Sequence, residues 1–210
     1  MNKPNVILFP KLAKTIKSLS AVTIPYDRIE VLQKLIDYIQ DKKLLGKDIK
    51  LHFICTHNSR RSQFAQIWAQ TAAFYYGIKL DCFSGGIEES TFNKRAIAAI
   101  KRAGFKISSE AEINPQYAIS FSKQTKPVLM FSKLYDHESC PSSGFAAVMT
   151  CSHADENCPF IPGAENRIKV MYIDPKTFDS TPQEASKYDE RSTQIATEMF
   201  YVFSQIKKSS

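Results

Sequence analysis

Ile49-Lys50-Leu51-His52-Phe53-Ile54 runs directly into Cys55-Thr56-His57-Asn58-Ser59-Arg60-Arg61-Ser62. An apolar run followed by a cysteine, five residues and an arginine reads as a strand turning through a loop into a helix. Such a loop curls consecutive backbone N–H groups around a tetrahedral oxyanion, and the following helix adds the positive end of its dipole. Arg61 supplies a planar fork of donors able to hold two of the anion's oxygens. The same field favours a thiolate at Cys55. The stretch therefore binds an oxyanion and aims a nucleophile at its central atom. A bare Cys-x5-Arg arises often by chance, with Cys55 a buried strand end and Arg61 a surface residue. The strand-loop-helix order, with Asn58 inside the loop and Ser62 just beyond it, reverses those odds.

Downstream, Ser62 to Tyr76 contains no proline, and Phe64, Ile67, Trp68, Ala72 and Tyr75 recur at helical spacing up to a stop at Gly77. The rest of the chain alternates strand and helix. Strands are expected near 49–54, 80–84, 127–131, 146–150 and 168–173, and helices near 61–77, 93–103 and 183–206. The alternation implies an α/β single domain with a central parallel sheet flanked by helices. Ligands in such folds sit beyond the carboxyl ends of strands. Cys55, Cys151 and Asp174 all fall at expected strand ends.

The motif set resembles a known family. Cys55 to Gln63 is similar to the anion loop of the low-molecular-weight protein tyrosine phosphatases, and more so to that of the thioredoxin-coupled arsenate reductases. Ser84-Gly85-Gly86-Ile87-Glu88 with Asn93-Lys94-Arg95-Ala96 resembles the family's second strand and second helix start. Cys151-Ser152-His153-Ala154-Asp155-Glu156-Asn157-Cys158-Pro159 resembles the reductases' redox segment, and Asp174-Pro175 the phosphatases' general-acid dipeptide. The resemblance spans roughly residues 49–207. Two departures stand inside the loop, where His57 replaces the usual glycine and Arg60 a second cysteine. Gln66 stands where some reductases place a glutamate that helps hold a monovalent cation, so no such site is expected. The stretch from Ala111 to Phe145 is longer than in a minimal family member.

The resemblance implies a low-molecular-weight phosphatase-like fold over 49–210, preceded by an N-terminal helical extension over 1–48. It implies arsenate reduction to arsenite through a Cys55–Cys151–Cys158 thiol-disulfide relay recycled by thioredoxin. Thr56, His57, Asn58, Ser59, Arg60, Arg61 and Ser62 would bind the oxyanion, and Asp174 would protonate the departing oxygen. The alternative is a tyrosine phosphatase hydrolysing phosphate monoesters through a phosphocysteine at Cys55, its cleft walled by aromatics such as Tyr117, Phe121, Phe131 and Tyr135. A third class, a non-catalytic oxyanion sensor, has no need of the cysteine. The Cys151/Cys158 pair, in a polar segment able to refold as thiols exchange, favours the reductase.

Each residue also has a plainer reading. An Asp-Pro after a strand often only caps the next turn. Cys151 and Cys158, six residues apart, are wrongly spaced for a zinc knuckle, so no metal or other cofactor is expected. Cys82 reads as core and Cys140 as a loop residue without chemistry. His57 reads as shaping the loop or touching the anion, and the other histidines have no evident partner.

Composition agrees with a folded domain. The 210 residues are 43% hydrophobic and include five cysteines, an odd count that argues against a secreted disulfide framework. With no long apolar run and no signal-peptide core, a soluble, cytoplasmic protein without membrane partners is expected. Residues 1–50 carry ten Lys/Arg against five Asp/Glu, and residues 51–210 eighteen against sixteen. In the leader these charges interleave with apolar residues at helical intervals, over roughly 10–20 and 27–42. This pattern is the solvated face of amphipathic helices, and no nucleic-acid partner is expected.

Overall fold

The computed structural model describes residues 6–109, 114–157 and 160–207; Cys158 lies outside them. Two helices open the chain, α1 (Pro10–Leu19) and α2 (Tyr26–Leu44). There follow β1 (Lys50–Cys55), α3 (Arg61–Tyr76), β2 (Asp81–Gly86) and α4 (Lys94–Ala103). Then come β3 (Lys106–Ser109), β4 (Tyr117–Ser120), β5 (Val128–Met130), β6 (Phe145–Met149) and α5 (Ser152–Asn157). The chain closes with β7 (Ala164–Lys169), a 3-10 turn (Pro175–Phe178) and α6 (Glu184–Gln205).

The principal sheet has four parallel strands in the order β2-β1-β6-β7. One face carries Leu51, Phe53, Ala146, Val148 and Ile168 into a core shared with α1, α2, α3, α4 and α6. The other carries Ile54, Phe145, Ala147 and Met149 against α5, Ile161 and Tyr135. Helix α3 is buried on nearly every side because it lies between the sheet and α6. Its Trp68 stands edge-on to Phe105 with centroids 4.9 Å apart, and its indole N–H donates to Ser192 Oγ at 2.9 Å. Gly77 ends α3 in the left-handed conformation (φ 68°), as its position in the sequence requires. Asn93 caps α4 by accepting from Arg95 N and Ala96 N.

Two strand expectations are corrected. The strand expected near 127–131 forms as β5, but it belongs to a separate antiparallel sheet, β3-β4-β5. Its partners β3 and β4 are short and partly exposed, so they lack the long apolar run that marks a buried strand. The strand expected over 168–173 instead spans Ala164–Lys169. As a sheet edge, β7 tolerates Glu165, Asn166 and Arg167, which hid it from hydropathy. The apolar residues that suggested the later position are buried just beyond it. Val170 N and Tyr172 N still donate to Met149 O and Thr150 O, at 2.9 and 3.1 Å.

The leader is tied to this framework by charge as well as by packing. Arg28 on α2 donates through Nε and Nη2 to the two carboxylate oxygens of Glu198 on α6, at 3.0 and 2.5 Å. Its Nη1 reaches Met171 O at 3.1 Å, and its guanidinium lies 5.1 Å from the centre of the Tyr172 ring. Tyr172 donates its hydroxyl to Glu198 Oε2 at 2.8 Å. The Glu198 side chain is only 3% exposed, so it depends on these partners. Arg28→Ala would leave a buried carboxylate short of its counter-charge. We expect a loss of about 3 kcal/mol in urea unfolding, and a loss below about 1 kcal/mol would contradict the assignment.

His52 on β1 is fully buried between the rings of Phe83 and Phe145, and neither ring nitrogen has a partner. Burial, assisted by the nearby Lys133 ammonium, lowers its pKa to about 3. The unfolded chain binds this proton near pH ~6.5, so the folded state loses stability as pH falls from there toward 3. His52→Leu should therefore lose less stability than the parent between pH ~6.5 and ~4.5 in denaturant titrations. Equal losses in the two proteins would refute the assignment.

Candidate active site

Three turns meet at the carboxyl edge of the principal sheet: the loop after β1, the segment after β2 and the turn after β6. Cys55 ends β1 and is 3% exposed, with Sγ 3.1 Å from Ser62 Oγ. Between them sits Asn58 in the left-handed region (φ 45°), which asparagine tolerates better than most residues. Its carboxamide orientation is fixed because Oδ1 accepts the backbone N–H of Lys133 at 3.1 Å. Nδ2 then necessarily faces Ser62 and donates to its Oγ at 2.9 Å. With its oxygen accepting from Asn58, the Ser62 hydroxyl is left with its proton for the Cys55 sulfur. Gln63 secures the loop from behind, its Nε2 donating to Asn58 O at 2.8 Å and Phe131 O at 2.9 Å.

The segment after β2 fastens the loop's other side. Ile87 N and Glu88 N donate to Cys55 O and Thr56 O, at 3.2 and 2.8 Å, and Ser59 Oγ donates to Thr91 O at 2.6 Å. Gly86 is required by this close approach, since a methyl there would lie 2.8 Å from both Asn58 N and Thr56 O. His57 pairs through Nδ1 with Glu88 Oε2 at 3.0 Å, and its carbonyl accepts from Ser90 and Ser132 hydroxyls. Gln66 is engaged inside the fold, donating to Cys82 O and accepting from Ser84 Oγ.

Asp174 stands beside the loop rather than at the end of β7. It caps the 3-10 turn by accepting from Lys176 N at 3.0 Å, so the plain reading of Asp-Pro is realised. It also meets both loop arginines: Arg60 Nε reaches Oδ1 at 2.8 Å and Arg61 Nη2 reaches Oδ2 at 2.9 Å. Burial pushes this carboxyl up, but Arg61, Arg60 and the Lys176 N–H outweigh it and hold it below the usual carboxylate range. Arg61 Nη1 donates to Tyr172 O at 3.1 Å, while its Nε is buried without a partner. Arg61 thus keeps one buried donor unpartnered. The cavity here is lined by Cys55, His57, Ser59, Arg60, Arg61 and Asp174, with no Phe, Tyr or Trp among them. Of the aromatics considered for a phosphatase cleft, Tyr135 packs on the cluster that holds Cys55 and Cys151, and the other three are engaged with other rings. Tyr117 packs on Phe92, Phe121 on Phe74 and Phe131 on His137.

Cys151 follows β6, the parallel neighbour of β1, and is 1% exposed. Its Sγ lies 3.4 Å from Thr56 Oγ1 and accepts from Ala154 N at 3.4 Å. The residues after it, read from sequence as a polar loop, form α5. His153, which the sequence left without an evident partner, places Nδ1 3.3 Å from the same Thr56 hydroxyl. Only its position two residues after Cys151 could have pointed to it. Cys82 is buried and Cys140 half-buried, and burial raises the pKa of both thiols. Among the described residues, no cluster of three or more His, Cys, Asp or Glu side chains is placed to hold a metal ion.

Gly86→Ala should displace the loop by way of Asn58 N and Thr56 O. The expected result is at least tenfold weaker protection of the protein by inorganic phosphate in thermal shift, with the fold retained by circular dichroism. Unchanged protection would mean that the close approach is not needed.

The profile of the family described as "Low molecular weight phosphotyrosine protein phosphatase" matches residues 50–124. An arsenate reductase from Brevibacillus brevis is 33% identical over 125 residues, covering 60% of this chain and 75% of that protein. An arsenate reductase from Halalkalibacterium halodurans is 29% identical over 134 residues, covering 64% of this chain and 79% of that protein. Among solved structures, a YwlE mutant from Bacillus subtilis superposes with a TM-score of 0.52 at 12% identity, over 77% of this chain and all of that one. This last likeness concerns the fold alone.

Proposed function

Because the chain belongs to the family of the low-molecular-weight phosphotyrosine protein phosphatases and their arsenate-reductase relatives, we propose that it reduces arsenate to arsenite through a thiol relay. The observation that carries this reading is the position of Cys151. A second buried thiol stands one hydroxyl away from the loop that holds Cys55. Hydrolysis of a phosphocysteine by water has no use for it.

In the proposed sequence the loop amides and the Arg61 fork, with its unpartnered Nε, hold arsenate over Cys55. The Cys55 thiolate forms a bond to arsenic as an oxygen departs. The proton for that oxygen comes from Asp174. In the ligand-free arrangement Arg61 and Arg60 hold this carboxyl ionised. An oxyanion that engages Arg61 competes for that guanidinium and so weakens the largest interaction depressing the carboxyl. Proton uptake by Asp174 is thereby linked to substrate arrival.

The Cys151 thiolate then attacks Cys55 Sγ. An S–S bond forms, the S–As bond breaks, and its electron pair reduces arsenic(V) to arsenic(III) as arsenite leaves. Cys158 attacks Cys151 in turn, which frees Cys55 and leaves a redox-active Cys151–Cys158 disulfide. Thioredoxin is the proposed electron donor that reduces it. A reducing compartment suits five cysteines of which none need be structural, and we propose a cytoplasmic location. None of the described helices is long and apolar enough to cross a membrane.

Cys158→Ser, treated with arsenate in the absence of external thiol, should stop at a Cys55–Cys151 disulfide visible by peptide mass spectrometry. Normal multiple turnover of this variant with thioredoxin would refute the relay. Hydrolysis of an aryl phosphate with every cysteine still reduced after arsenate would favour the phosphatase instead.

A further inference from the structure

Thr56 Oγ1 stands between two groups: Cys151 Sγ at 3.4 Å on one side and His153 Nδ1 at 3.3 Å on the other. The cysteine is 1% exposed and the threonine 8%, whereas the histidine is exposed. A buried thiol is thus joined through one hydroxyl to a base that reaches water. We propose that His153 is the proton acceptor for the Cys151 thiol, through the Thr56 hydroxyl, in the step that forms the Cys55–Cys151 disulfide. The proposal rests on the relay described above and assigns its second nucleophile a base.

Proton and electrons balance along this line. With the His153 ring proton on Nε2, Nδ1 accepts from the Thr56 hydroxyl, and that oxygen accepts from the Cys151 S–H. As Cys151 Sγ attacks Cys55 Sγ, its proton passes to Thr56 Oγ1 and the threonine's own proton passes to His153 Nδ1. The electron pair of the broken S–As bond stays with arsenic. The resulting imidazolium, being exposed, returns its proton to water. Without such an acceptor the buried thiol has no bonded route for its proton, and the step waits on a chance base from solvent.

Other titratable groups around α5 are engaged elsewhere. Asp155 pairs with Arg167 at 2.6 Å and Lys169 at 2.7 Å, both on β7. His57 pairs with Glu88 across the loop. On β1, His52 is enclosed by Phe83 and Phe145 and is held neutral by burial. Glu156 lies on the exposed side of α5. Of these groups, His153 has the bonded path to the Cys151 sulfur.

The test follows single-turnover formation of the Cys55–Cys151 disulfide after arsenate addition, quenched and mapped by mass spectrometry, in a Cys158→Ser parent from pH 6 to 9. Adding His153→Ala should slow the step on the order of 10²-fold at pH 7. It should also move the rising limb of the pH profile upward by a unit or more, and imidazole in the buffer should restore much of the rate. Thr56→Val should show the same shift, and Thr56→Ser, which keeps the hydroxyl, should return the rising limb to the parent's position. An unchanged profile in His153→Ala overturns the inference. So does a uniform slowing that imidazole cannot rescue, which would mark a structural role. If the parent itself forms no disulfide with arsenate, the relay fails and this inference fails with it.

Discussion

The site depends on one carboxamide. Asn58 takes a backbone conformation that a branched side chain would resist, and its Oδ1 is committed to a backbone donor, Lys133 N, from a distant part of the chain. That single hydrogen bond dictates the rest of the line. Nδ2 must face Ser62, Ser62 must accept from it, and the hydroxyl proton is left for Cys55. A nucleophile at the end of a buried strand would ordinarily be inert. Here the loop supplies it with a hydroxyl donor, and two guanidiniums line the same cavity.

Around this centre the charges form a balance rather than a fixed arrangement. Asp174 lies between Arg60 and Arg61, so a carboxylate occupies guanidinium donors suited to an oxyanion. Arg61 is also held by Tyr172 O, and Tyr172 in turn is held by Glu198 and overlaid by Arg28. The leader helices therefore reach the loop through three side chains and one carbonyl. The replacement of the usual loop cysteine by Arg60 is what doubles the grip on Asp174.

The parts legible in the sequence were those that burial makes obvious. Strands β1, β2 and β6 and helices α3, α4 and α6 lie where apolar runs or helical periodicity placed them, within a few residues at each end. The polar edge strand β7 and the small β3-β4-β5 sheet were hidden because half-exposed strands carry no such signal. At the site, spacing identified the loop, but it could not show Asp174 both capping a turn and bridging two arginines. Nor could it show that Thr56 lies between Cys151 and His153. That last contact comes from the side-by-side packing of β1 and β6, a long-range property that local pattern does not encode.

The central claim is that Cys55 and Cys151 act on one substrate in sequence. The most direct test is a disulfide map of the fully reduced wild-type protein after arsenate is added without external thiol. A Cys151–Cys158 bond that appears only with arsenate, and is absent when Cys55 is replaced by serine, is the predicted result. Arsenate-treated protein with all five cysteines still reduced would contradict the account.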